Sequence, residues 1–62
     1  MKRNVLIKYL RRIGCYLKRE GSSYSLWTNP QTGHTEAVPR RTEIPNILVR
    51  KICKSLSIQA IG

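Results

Sequence analysis

The feature that most limits how this chain can fold is a change of hydrophobic period that occurs twice within 62 residues. Leu6, Ile7, Leu10 and Ile13 recur at helical spacing, with Lys8, Arg11 and Arg12 on the opposite side. From Cys15 the period becomes two, so that Cys15 and Leu17 share one face while Tyr16 and Lys18 share the other. The alternation continues with Tyr24, Leu26 and Thr28 against Ser23, Ser25 and Trp27. After Pro45 the helical spacing returns in Leu48, Val49, Ile52, Cys53 and Leu56, with Arg50, Lys51 and Lys54 outward.

The breaks between these runs set the element boundaries. Asn4 is the expected N-cap of a first helix over about residues 4 to 13, and Gly14 its stop. A strand follows from Cys15 to the break at Gly21-Ser22, and a second from Ser23 to Asn29. Asn29-Pro30-Gln31-Thr32-Gly33 is a turn, because proline presets its dihedral and glycine accepts a positive one. His34 to Val38 then returns as a third strand, which Pro39 ends for want of an N–H. Pro45 suits the first turn of the second helix, and the chain around Gly62 is expected to fray.

Each of these elements has one apolar side to bury, so the order predicts an α+β fold of α-β-β-β-α type. Its three-stranded antiparallel sheet carries both helices on one face and leaves the other face open. Residues 1–62 make one domain with a thin core, since a chain this short buries only about 60% of its unfolded surface. At 40% hydrophobic residues the composition is that of an ordered domain.

Twelve Lys and Arg against three Asp and Glu give a formal net charge of +9. Such a field attracts polyanions, and each neutralised phosphate releases counterions, so affinity for nucleic acid is expected to depend on salt. Cys15 and Cys53 lack metal-ligand spacing and the only histidine, His34, stands alone, so neither metal nor cofactor is expected. The basic start has an apolar run of three residues, Val5 to Ile7, too short for a secretory segment or a membrane span. A soluble cytoplasmic protein with reduced thiols as small apolar fillers is the expectation.

Several stretches in one order resemble the HicA family of small toxin ribonucleases. Leu6-Ile7-Lys8-Tyr9-Leu10 with Gly14 is similar to that family's opening helix. Lys18-Arg19-Glu20-Gly21-Ser22-Ser23 before an aromatic-bearing strand resembles its first hairpin, and Ala37-Val38-Pro39-Arg40 the end of its third strand. Arg50-Lys51-Ile52-Cys53-Lys54-Ser55-Leu56 resembles its closing helix. The resemblance implies a fold like the double-stranded RNA-binding domain, a metal-independent messenger RNA endonuclease activity, and neutralisation by a HicB-like antitoxin that covers the active site. Counting back from Asn29-Pro30, the family's catalytic histidine falls on Tyr24, and its frequent Pro-Arg-His before the last helix is Pro39-Arg40-Arg41 in this chain.

The chemistry makes the first difference decisive. Cleavage without a metal uses the neighbouring 2′-OH as nucleophile, so a base must take its proton while cations stabilise the charge growing on phosphate. A free tyrosine ionises near pH 10, so at pH 7 only about one molecule in a thousand carries the phenolate. Making up that deficit with neighbouring cations would take about 4 kcal/mol, a large demand on a solvated surface. The resemblance therefore implies an enzyme fold with cleavage strongly reduced or lost at Tyr24. Lys18, Arg19, Gly21, Ser22, Ser23, Arg40 and Arg41 are the expected RNA contacts around it. Trp27 is expected to pack under the sheet, with base stacking as its alternative and that of Tyr16. His34 is expected to be an ordinary loop residue that Lys or Gln would replace. The other readings are a non-enzymatic module that holds RNA or DNA by its phosphates, and a basic face that docks an acidic protein.

Overall fold

A computed structural model describes residues 1–61, in the order α1 (Arg3–Ile13), β1 (Tyr16–Glu20), β2 (Tyr24–Thr28), β3 (Thr35–Pro39) and α2 (Asn46–Ser55). The expected fraying at Gly62 lies outside the described residues. The strands form one antiparallel sheet in the order β1-β2-β3, and the helices pack on one face of it, giving the expected α-β-β-β-α architecture.

The head of α1 departs from the expectation that Asn4 caps it. Lys2 holds the cap position in an extended conformation without a side-chain cap bond. Tertiary pairing sets the start instead: Lys2 bridges Glu43, the Arg3 N–H donates to the Thr42 carbonyl at 2.9 Å, and the Ile44 N–H donates to Met1 at 2.8 Å. At the other end Gly14 takes φ 109 and donates to the Arg11 carbonyl, while the Cys15 N–H reaches back to Leu10 at 2.9 Å. This paired closure needs a left-handed residue just past the helix, which glycine supplies without strain.

The sheet register decides what each face carries. Ser25 lies opposite Val38, and Trp27 opposite Glu36 and Leu17, all on the helix side. Between Leu17 and Arg19 the β1 register shifts, so Lys18 is an extra residue in a β-bulge. Simple alternation would put Tyr16, Lys18 and Glu20 on one face; the bulge turns Glu20 to the helix side, opposite Ser25. All five β1 residues are exposed, and a charged bulge on such an edge discourages pairing with another strand.

The core is one cluster: Leu6 and Leu10 of α1, Val38 of β3, Val49, Ile52 and Cys53 of α2, then Leu56, all fully buried, with Trp27 and Cys15 nearly so. Ile44, in the connection between β3 and α2, is also fully buried, because its backbone pairing with Met1 carries it inward. Leu48 only flanks this cluster and Ile13 is 38% exposed, since α1 runs past the core before Gly14 turns the chain. Trp27 packs as expected, 3% exposed beneath the Arg11 guanidinium at 5.5 Å from its ring. That burial removes it as a base-stacking surface.

Burial pushes the thiol pKa of both Cys15 and Cys53 up, and for Cys15 the proximity of Cys53 adds to the effect. Less thiolate forms in the folded chain than in the unfolded one at a given pH. Iodoacetamide at neutral pH is therefore expected to label neither thiol until urea unfolds the chain, as mass spectrometry would show. Because the unfolded state loses these protons first, their contribution to stability is complete below the ordinary thiol pKa and falls as pH rises above it.

The β2–β3 turn is anchored from beneath. Asn29 is 5% exposed; its Nδ2 donates to the Leu56 carbonyl at 2.8 Å, and its Oδ1 accepts the Gln31 N–H at 3.0 Å. His34 is exposed, as expected, but is not idle: its Nδ1 lies 2.8 Å from the Ser57 hydroxyl, tying the turn to the end of α2.

Candidate nucleic-acid interface

Tyr24 opens β2 on the face away from the helices, opposite Pro39 and 45% exposed. Leu26 shares this face, and Arg19 lies directly across from Leu26 on β1. Tyr16 stands at the far corner of the same face, opposite Thr28 and 49% exposed. The open side thus presents two tyrosines at its corners, with Arg19 between them and Lys18 raised by the bulge. Tyr16 keeps the exposure that base stacking needs.

The hairpin that carries Tyr24 is tight. The Gly21 N–H donates to the Tyr24 carbonyl at 2.8 Å, and a Cβ on Gly21 would stand 2.9 Å from that same oxygen and 3.5 Å from the phenol ring. Glycine is required here for the close approach of backbone to backbone. Gly21→Ala is expected to destabilise the chain by about 1–3 kcal/mol, a midpoint shift that urea denaturation would record. Ser22 and Ser23 form the exposed tip, and the Ser23 carbonyl accepts the Arg40 N–H at 3.2 Å.

Arg40 is engaged within the chain. Its guanidinium donates to the Gly21 carbonyl at 3.1 Å and lies 3.3 Å from a Glu20 carboxylate oxygen. The other Glu20 oxygen accepts the Ser25 hydroxyl at 2.9 Å, and Ser25 in turn accepts from Arg3, whose Nε donates to the Pro39 carbonyl at 2.8 Å. Arg3, Ser25, Glu20 and Arg40 therefore form one polar chain that fastens α1, β1, β2 and β3 together beside Tyr24. The half-exposed Arg40–Glu20 pair itself contributes less than about 1 kcal/mol.

Arg41 turns elsewhere. It lines a cleft with Lys2, Arg3, Asn4, Arg40 and Thr42, at the head of α1. Lys18 and Arg19 thus stand on the sheet side of Tyr24, Arg40 holds the hairpin, and Arg41 faces the first helix. The roles of Arg3, Ser25 and Glu20 were not legible in the sequence, because no local spacing marks residues that meet only after the sheet closes. Lys2 and Arg3 carry no local signal in the sequence for the same reason.

No imidazole stands near the phenol. His34 lies beyond the opposite end of the β2–β3 ladder, across from Asn29 and about 16 Å away along a strand that rises about 3.3 Å per residue. Among the described residues no three His, Cys, Asp or Glu side chains gather as a metal site, and no helix is long and apolar enough to cross a membrane. Compared with family models, with curated proteins and with solved structures, the chain matches none.

Proposed function

We propose that this chain is an RNA-binding domain of HicA type, the toxin half of a type II toxin–antitoxin pair, whose messenger RNA cleavage is strongly reduced because Tyr24 stands where the base is needed. The observation that carries the reading is the open sheet face, where a half-exposed Tyr24 shares its side with Arg19 and the bulged Lys18, neither of them paired with a carboxylate among the described residues. Cations without acidic partners attract phosphates, and an exposed ring beside them offers a base a stacking surface. A HicB-like antitoxin would cover this same face in the cytoplasm, where both cysteines stay reduced.

The second reading, a non-enzymatic module that holds nucleic acid by its phosphates, is favoured by one observation. The only imidazole is held by Ser57 at the far end of the hairpin. Incubating a labelled transcript with the purified chain and with Tyr24→His separates the readings. The HicA reading expects salt-sensitive binding by both and fast cleavage by the histidine variant alone. Binding by both with cleavage by neither supports the simple module. Absence of RNA retention at low salt, with capture of an acidic protein instead, would reject both.

A further inference from the structure

The cleft at the head of α1 is lined mostly by cations. Of the six residues that line its roughly 280 Å³, four are cationic: Lys2, Arg3, Arg40 and Arg41; Asn4 and Thr42 complete it. Nothing acidic answers these charges in full. Glu20 reaches only Arg40, Glu43 reaches the terminal amine at 3.1 Å, and Glu36 lies on the helix side of β3 opposite Trp27. Lys2, Arg3 and Arg41 have no carboxylate within ion-pair distance among the described residues.

The walls of the cleft are fixed by the fold. The Arg3 N–H donates to the Thr42 carbonyl at 2.9 Å, and the Arg3 guanidinium is clamped on Pro39 and Ser25. Arg40 is held by its own N–H to Ser23. Like charges crowded at a rigid site repel, so an anion seated among them relieves that repulsion without reorganising the protein. The cleft also adjoins the catalytic position, since Pro39, the residue before Arg40, is the direct cross-strand partner of Tyr24.

We propose that this cleft is a phosphate seat, in which Lys2, Arg3 and Arg41 hold a backbone phosphodiester of the RNA strand whose neighbouring nucleotide lies against Tyr24. This rests on the RNA-binding reading and extends it to the first helix. The guanidinium forks of Arg3 and Arg41 and the Lys2 ammonium supply more positive charge than one monoanion neutralises, which suits a strand whose further phosphates continue on both sides of the seated one.

The test compares two charge-matched double variants. Lys2→Gln with Arg41→Gln empties the cleft of its two exposed, unbonded cations, and Arg50→Gln with Lys51→Gln removes the same charge from the outer face of α2. Binding of a fluorescein-labelled single-stranded RNA is followed by anisotropy from about 50 to about 200 mM salt, where each lost contact flattens the log–log slope by about 0.7. The cleft pair is expected to flatten it by about 1.4 and to weaken binding about ten-fold or more at low salt, and the α2 pair to change binding about two-fold. Equal losses in the two pairs would overturn the proposal and leave only a diffuse field. Stronger competition by polyglutamate than by unlabelled RNA would overturn the phosphate assignment in favour of an acidic protein. If the unaltered chain retains no RNA, pyrophosphate titration followed by amide shifts at Lys2 and Arg41 still decides: shifts confined there support the seat and reject the RNA reading, and their absence rejects both.

Discussion

Tyr24→His is expected to raise transcript cleavage by about 100- to 10,000-fold, the range that a positioned acid–base group contributes. The reasoning is one of proton affinity. An imidazole that titrates near pH 6.5 offers a large fraction of free base at neutrality, whereas an ordinary phenol offers about one part in a thousand. The position itself meets the other requirements: it is 45% exposed, it opens β2 beside a tight hairpin, and it has Arg19 on its own face. Cleavage by the unaltered chain, measured on a labelled transcript, should be unchanged in Tyr24→Phe, because removing an idle hydroxyl removes no chemistry. An inert histidine variant that still binds RNA would count against the HicA assignment. Rapid cleavage by the unaltered chain, equally rapid in Tyr24→Phe, would show that the reaction is carried by other residues.

Ile52→Ala should cost about 2–5 kcal/mol, the usual effect of hollowing a packed core. A chain of this length has a total stability of about 3–9 kcal/mol, so this single truncation removes a large share of it. Ile52 is fully buried between the helices and the sheet, whereas Ile47 on the same helix is 79% exposed. Ile47→Ala is accordingly expected to change stability by less than about 0.5 kcal/mol. Urea denaturation followed by circular dichroism would compare the two, and similar midpoints would mean that α2 does not pack with the face described.

Much of the fold was legible in residue spacing. The helical repeat of Leu6 and Leu10, the alternation of Ser25 and Trp27 against Tyr24 and Leu26, and the return to helical spacing at Val49 and Ile52 all match the buried and exposed sides. The errors share a cause. Asn4 was expected to cap α1 from its chemistry, yet the Lys2–Glu43 bridge fixes the start, and the pairing of Met1 with Ile44 beside it buries an isoleucine that no periodic pattern marks. The bulge at Lys18 leaves no mark in a period-two pattern, although it decides that Glu20 meets Ser25 and Arg40. The candidate site was legible in part: Tyr24 and its basic neighbours stood out by the family resemblance, while Lys2 and Arg3 did not.

The sequence by itself determined the elements, their order and the apolar side of each, because helix and strand periods arise among residues at most a few positions apart. It also determined the excess of positive charge and the phenol at position 24. Only the tertiary structure decided where that charge collects. Arg3 meets Pro39 across 36 residues and the terminal amine meets Ile44 across 43, contacts that exist only once the sheet has closed and the helices have docked on it. Closure sends Arg40 to Glu20 and Gly21 while it still borders the cleft at the head of α1, and leaves the adjacent Arg41 in that cleft without a carboxylate partner among the described residues.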